Sequence, residues 1–391
     1  SAHMEKIEKF EDVKQIPFEE AIKSGMASFI DESVEEEYKK EVLNLTINDE
    51  NVDKDIKVVY TPLNGVGNLP VREVLKRRGF ENVFVVKEQE LPDPEFTTVG
   101  YPNPEVPKAF LYSENLGKEV GADILIATDP DCDRVALEVR DKNGEYVFLN
   151  GNRIGALLSY YIFSQRYALK NLPENPVLVK SIVTGDLSRA IAKKYGIDTV
   201  ETLTGFKNIC GKTNEYDITK EKNYVFGYEE SIGFCYGTFV RDKDAVGASM
   251  MVVEMAGYYK KQGKSLLEVL NDIYEEFGYY NERQISLELE GIEGQARIGR
   301  MMEDFRENPI KEMKEISLKE IVDFKDGYLD FPKQNCLKYY LNDGSWYALR
   351  PSGTEPKIKL YIYTIGKTEQ ESVDKLDLIE KTCREKMNNV E

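Results

Sequence analysis

The chain has 391 residues, 41% of them hydrophobic, which suits about two to four domains of ~100–200 residues whose cores need neither disulfides nor metal. Lys and Arg number 52 against 70 Asp and Glu, and the net charge of −18 argues against the basic face that nucleic acids and anionic membranes select. The one histidine, His3, lies in Ser1-Ala2-His3-Met4, which reads as an expression-vector scar; Ser–His–Asp and Cys–His catalysis and His-ligated zinc are thereby excluded, leaving carboxylates, cations, hydroxyls or a hard metal.

The first fifty residues are polar and helical in character, with an acidic run from Asp31 to Glu37 and no strand. Ile56–Tyr60 then reads as a strand, a helix follows over Leu69–Arg78, and Asn82–Val86 is the next strand. A Pro-rich loop over Leu91–Pro107 leads through a helix ending near Val120 to the apolar strand Asp123–Thr128. Ala136–Val139 and Tyr146–Leu149 flank Asn143-Gly144, a strong hairpin signal, and residues 150–165 form a helix. A second cycle has strands at Val177–Ile182, Thr199–Leu203 and Tyr224–Gly227, with helices at Asp186–Tyr195, 244–261 and 264–278, and its likeness to the first suggests internal duplication. Beyond Asn281 the pattern turns to β-rich α+β, with strands at Gln284–Leu289, Lys338–Leu341, Trp346–Leu349 and Ile358–Thr364 and helices at 292–306 and 368–389. The expected fold class is α/β: two successive α/β domains with mixed, mainly parallel sheets, followed by a smaller α+β domain. The boundaries are a leader at 1–50 (scar 1–4), α/β domains at 51–166 and 167–281, and the α+β domain at 282–391.

Five scattered cysteines (132, 210, 235, 336 and 383) without a C-x-x-C pair suit a reducing cytoplasm. No signal peptide is visible, and the longest uncharged apolar stretches, such as Ile154–Gln165, fall short of the ~18–20 residues that span a bilayer. A cytoplasmic protein with no membrane or nucleic-acid partner is expected; the oligomeric state is left open.

Thr128-Asp129-Pro130-Asp131-Cys132-Asp133-Arg134 carries the strongest chemical signal. In extended chain residues two apart share a side, so Asp129, Asp131 and Asp133 converge at the C-terminal end of a buried strand, where open α/β sheets bind ligands. Three carboxylates so close favour a hard cation, Mg²⁺ first, over the bland reading of an exposed acidic turn. An EF-hand is excluded because Arg134 stands where its Gly would be. Arg350-Pro351-Ser352-Gly353-Thr354-Glu355-Pro356 combines a guanidinium, two hydroxyls and a glycine, the ingredients of a phosphate cradle, although such a run alone is a plain turn. Gly227-Tyr228-Glu229-Glu230-Ser231-Ile232-Gly233 suits bonding to sugar hydroxyls, and equally a helix start capped by Ser231. Thr204-Gly205-Phe206-Lys207 offers a hydroxyl and an ammonium at a strand end; Arg241-Asp242-Lys243-Asp244 supplies further cations or a charged turn. Asn64-Gly65-Val66-Gly67 reads as a structural turn.

In this order, with Tyr60-Thr-Pro-Leu-Asn-Gly-Val-Gly67 ahead of them, these segments resemble the α-D-phosphohexomutase superfamily, which includes phosphoglucomutase and phosphomannomutase. The resemblance spans roughly residues 55–391 and implies a family of four domains around a central cleft. It implies that Asp129, Asp131 and Asp133 hold Mg²⁺ and that Arg134 lies beside the reacting phosphate. Thr204 and Lys207 would sit on an active-site loop, with Lys207 contacting substrate or assisting proton transfer. Glu229 and Ser231 would grip sugar hydroxyls, Lys243 would contact substrate, and Arg350, Ser352, Gly353 and Thr354 would hold the non-reacting phosphate. The implied reaction passes a phosphoryl group between a phosphoserine and the sugar through a bisphosphate such as glucose 1,6-bisphosphate.

The family's serine loop, of Thr-Ala-Ser-His-Asn-Pro type, has no counterpart in this sequence. Residues 5–50 resemble the tail of a first domain, so the chain is expected to be truncated, to lack that domain as a partner, and to be inactive alone. Glucose phosphate is the first substrate choice, with mannose and pentose phosphates as alternatives. Two other classes compete: a phosphatase of Asp-x-Asp type, disfavoured by Asp133, and a non-catalytic phosphosugar-binding module.

Overall fold

The computed structural model describes residues 3–352 and 356–391, and the chain divides after Asn44 into two compact units. The first unit carries two single 3-10 turns, Met4–Lys6 and Phe10–Asp12, then helices α1 (Phe18–Lys23) and α2 (Glu32–Asn44). Glu32 and Glu35 sit in the first turn of α2, where the helix dipole favours negative charge, and Glu35 pairs with Lys39 at 2.8 Å. No strand forms among its described residues, as its polar sequence implies.

The second unit opens with β1 (Val58–Thr61), α3 (Asn68–Arg77), β2 (Val83–Val85), α4 (Leu111–Val120), β3 (Ile124–Thr128), β4 (Val135–Arg140), β5 (Tyr146–Leu149) and α5 (Gly151–Ala168). Its sheet runs β2-β1-β3-β4-β5, with β2, β1 and β3 parallel and the β4–β5 hairpin antiparallel. Every residue of β1 and β3 is buried, the pattern of strands covered on both faces.

Next come β6 (Pro176–Ser181), α6 (Leu187–Lys194), β7 (Asp198–Thr202), α7 (Phe206–Thr219), β8 (Asn223–Glu229), β9 (Gly233–Cys235), α8 (Ala245–Lys261) and α9 (Leu266–Phe277). The order β7-β6-β8-β9, three parallel strands and an antiparallel fourth, repeats the topology of the first four strands of the first sheet. Helix α8 is buried along nearly its whole length, packing on α3, β3, β4 and α5 of the first group of elements and on α9 and β9 of the second.

The last part holds β10 (Tyr279–Glu288), α10 (Gly291–Glu307), β11 (Glu312–Met313), β12 (Ile316–Asp323), β13 (Leu337–Leu341), β14 (Trp346–Pro351), β15 (Lys357–Gly366) and α11 (Glu369–Asn388). Its antiparallel sheet runs β10-β15-β14-β13-β12-β11. Strand alternation divides its side chains: Ile358, Leu360 and Ile362 join Met301, Phe305, Ile379 and Cys383 in a core roofed by α10 and α11. Trp346, Ala348, Tyr361 and Tyr363 face the other way and pack on Ile182, Val183 and Leu203 of the second α/β layer. That second face leads into the site.

Four elements depart from the sequence expectation. Helix α7 replaces the expected plain strand end at Thr204–Lys207: its Asn, Thr and Gly are poor helix formers, but Phe206, Ile209, Cys210, Thr213 and Tyr216 bury one stripe. Short β9 pairs with the end of β8, and β11 and β12 form a largely polar sheet edge with little alternation to read.

Candidate active site

Strand β3 ends at Thr128, and the chain turns through Asp129–Arg134 before returning as β4. Asp129 Oδ1 organises this turn by accepting hydrogen bonds from the backbone N–H of Asp133 (3.0 Å) and Arg134 (2.9 Å). Cys132, at φ +57°, is buried with its Sγ against the Gly67 turn. The loop rests on the Asn64–Gly67 turn: Val66 N–H donates to Pro130 O at 2.9 Å, and a Cβ on Gly65 would lie 2.4 Å from Pro130 Cα. That turn is a structural support, as read from the sequence.

One oxygen from each of Asp129, Asp131 and Asp133 lies within 4.8 Å of the others. Burial pushes the Asp129 carboxyl up to about 7, against its backbone hydrogen bond, and the charges of Asp133 and Asp131 add to the rise. Clustered oxygen donors under such repulsion fit a hard divalent cation. Lys243 Nζ stands 2.7 Å from Asp133 Oδ2, and Arg134 Nε lies 3.7 Å from both Asp129 Oδ2 and Asp133 Oδ1. Asp244, beside Lys243, caps α8 by accepting from Val246 N–H and Gly247 N–H. Its loop is thus both a source of charge and a helix start.

Glu229 ends β8, and residues 230–232 turn into β9, so Ser231 lies in a β-hairpin and caps no helix; pairing of Glu229 with Gly233 overrides the helical reading. The hairpin touches the metal loop through Val135 N–H to Ile232 O, 3.1 Å. Glu229 Oε1 accepts from Gly205 N–H at 2.6 Å, and burial, then the charge of Glu230, raise its carboxyl to about 7. Glu230 is held by Ser181 Oγ (3.2 Å) and Thr184 Oγ1 (3.0 Å). Across from these groups Arg350 donates from Nη1 to Thr204 Oγ1.

A cleft of about 490 Å³ collects these side chains from all three sheets: Glu105 and Arg134 from the first, Thr204, Glu229 and Ser231 from the second, Arg350 and Lys359 from the third. Ser352 lines an adjoining hollow that shares Thr204 and Arg350, whereas Gly353 and Thr354 lie outside the described residues. Lys243 sits at the carboxylate cluster. Lys207 is not brought to this cleft: it is exposed on the first turn of α7 and lines a separate pocket with Asn208, Lys212 and Phe331.

The cleft also contains residues that motif reading passed over. Tyr101, Asn103 and Glu105 come from the Pro-rich loop, whose length alone, well beyond the usual ~4–6 residues, was a functional signal. Lys357, Lys359 and Tyr361 alternate along β15 and pair with Glu288, Ser286 and Gln284 of β10, so period-two counting exposes that face. Burial, with Arg350 alongside, lowers the Lys359 ammonium from its ordinary value.

Three domain models of one family match the chain: phosphoglucomutase/phosphomannomutase alpha/beta/alpha domain II over residues 36–144, alpha/beta/alpha domain III over 150–277, and the C-terminal domain over 297–378. The chain belongs to the phosphoglucomutase/phosphomannomutase family, within the α-D-phosphohexomutase superfamily. Curated relatives include a phosphoglucomutase of Staphylococcus epidermidis, 39% identical over 342 residues, which cover 84% of this chain and 61% of the relative. A Staphylococcus aureus phosphoglucomutase is 37% identical over the same length, covering 84% and 60%. The chain thus spans about three-fifths of the length of these relatives. Among solved structures, the Paramecium phosphoglucomutase pp63/parafusin superposes with TM-score 0.63 at 18% identity, over 89% of this chain and 59% of that one. Aspergillus fumigatus N-acetylphosphoglucosamine mutase, solved with GlcNAc-6P and magnesium, gives 0.53 at 13% identity, over 89% and 69%. No helix among the described residues is long and apolar enough to cross a membrane.

Proposed function

We propose that this chain carries the metal, sugar and distal-phosphate sites of a phosphosugar mutase that interconverts glucose 1-phosphate and glucose 6-phosphate. The observation that supports it is the single cleft in which Arg134, Glu229, Ser231 and Arg350, from three sheets, face one space. A ligand with two phosphates on a polyhydroxyl ring matches cations from separate sheets with a carboxylate and a hydroxyl between them in chain order. Mg²⁺ held by Asp129, Asp131 and Asp133 would polarise and neutralise the transferring phosphoryl group. Arg134 stabilises the same charge, Glu229 and Ser231 orient the sugar through its hydroxyls, and Arg350 with Ser352, Gly353 and Thr354 anchors the phosphate that does not react. Glucose phosphates rank ahead of mannose and pentose phosphates because the named relatives are phosphoglucomutases.

The family's phosphoryl-carrying serine loop has no counterpart in this sequence, so the chain alone binds phosphosugar without turning it over. A coupled assay for glucose 6-phosphate, together with calorimetry for phosphosugar binding, tests both points. No turnover is expected from the pure chain. Turnover of glucose 1-phosphate should appear when a serine-bearing first domain from a relative is added. Robust activity of the chain alone would contradict the second point; failure of every phosphosugar to bind would contradict the first.

A further inference from the structure

The face by which the C-terminal sheet meets the second α/β layer holds a buried cluster of charge that the proposed chemistry does not use. Lys180 and Lys338 are 0% and 1% exposed, burial that ammonium groups tolerate only when fully paired. Lys180, on β6, reaches Asp186 Oδ1 (3.1 Å), Glu201 Oε1 (3.0 Å) and Thr184 O (2.8 Å). Arg189, on α6, bridges the same two carboxylates at 2.9 and 2.7 Å. The C-terminal sheet plugs into this group. Lys338, on β13, donates to Ile182 O at 2.6 Å, lies 3.6 Å from Glu201, and sits 4.2 Å over the Trp346 ring. Trp346, which opens β14, donates its indole N–H to Asp186 Oδ2 at 2.8 Å. A Cβ on Gly185 would lie 2.4 Å from the Tyr363 ring, so the contact is close-packed as well as polar.

Both strands that meet in this cluster end at the cleft. β14 begins at Trp346 and carries Arg350 near its end; β7 carries Glu201 and ends two residues before Thr204, the partner of Arg350. We propose that Lys338 and Trp346 are positioning residues: their lock onto Asp186 and Glu201 sets the distance between the Arg350 arm and the Glu229–Ser231 wall, and so the length of phosphosugar the cleft accepts. The inference rests on the proposed function but is separable from it. A ligand spanning both walls senses the spacing, and inorganic phosphate, which needs only one arm, does not.

Trp346 is the only tryptophan in the chain, so its emission reports on this lock directly. The test compares wild type with Lys338→Met and Lys338→Arg by fluorescence and by calorimetry with glucose 1,6-bisphosphate and with inorganic phosphate. Lys338→Met should shift the Trp346 emission and weaken bisphosphate binding about tenfold or more, with phosphate binding changed less than about twofold, and Lys338→Arg should restore both. Should Lys338→Met fail to fold, Trp346→Phe, which removes the bond to Asp186 while keeping an aromatic ring beneath Lys338, is expected to show the same split by calorimetry. Equal losses for the two ligands, or unchanged bisphosphate affinity despite a shifted emission, would overturn the positioning role. Wild-type protein that binds neither ligand would instead overturn the proposed function.

Discussion

Glu229 shows how burial equips one side chain for its work. Its ordinary value of 4.5 is raised to about 7, chiefly by loss of water and next by the charge of Glu230. The neutral form predominates below that value and the carboxylate above it, and only the carboxylate accepts hydrogen bonds from sugar hydroxyls at both oxygens. Affinity for glucose 1,6-bisphosphate should therefore rise with pH through about 7 in excess of the ligand's own phosphate titration near ~6. Calorimetry between pH 5.5 and 8.5 on wild type and Glu229→Gln isolates the effect. The ratio of their affinities should grow with pH, and parallel curves would contradict the assignment. At this scale the sequence was partly legible. Glu229, Arg134 and Arg350 lie in motifs whose residue types announce their chemistry, whereas Glu105 and Lys359 lie in a loop and a strand whose length and alternation are only weak signals until three sheets meet. Lys207 illustrates the converse: its motif is legible, but helix α7 carries its ammonium to a different pocket.

Elements position these residues through contacts that leave no room. The Asn64–Gly67 turn lies so close to Pro130 that any Cβ at Gly65 meets backbone, which has no rotamer to escape into. Gly65→Ala should cost about 1–3 kcal/mol and also blunt the rise in melting temperature on adding Mg²⁺, because the displaced loop carries the three carboxylates. A destabilised variant with an undiminished Mg²⁺ response would separate the turn from the metal loop. Strand β4 carries a different strain in Glu138, which is buried with Oε2 lacking a partner and its carboxyl pushed up by burial to about 8 from 4.5. The folded state holds this proton more tightly than the unfolded chain. Its contribution is therefore fully present below about 4.5 and lost as pH rises through about 8. Glu138→Gln removes that dependence, so thermal melts should show the variant gaining on wild type from pH 5 to 8. A constant difference across that range would refute the reading. Regular strands such as β3, β14 and β15 were legible because their alternation or continuous apolar character has a single physical cause. Helix α7 and the β11–β12 edge were not, since tertiary burial of a few residues decides them against weak local preference.

At the scale of the molecule, the second sheet repeats the order of the first four strands of the first, and a third, antiparallel sheet turns one face to its own helices and packs the other on the second layer, where that face leads into the cleft. The repeated cycle was visible in the sequence as two similar runs of strand and helix. What no run of residues could reveal was that β14 and β7 converge, because that depends on how the third sheet seats on the second. The central claim is that this convergence makes a phosphosugar site. Titration calorimetry of glucose 1,6-bisphosphate into the chain, with and without Mg²⁺, tests it most directly. One saturable site is expected, strengthened by Mg²⁺ and weakened at least about tenfold by Arg350→Ala, the loss of one charge-assisted phosphate contact. No saturable binding, or binding indifferent to both Mg²⁺ and Arg350→Ala, would contradict the account.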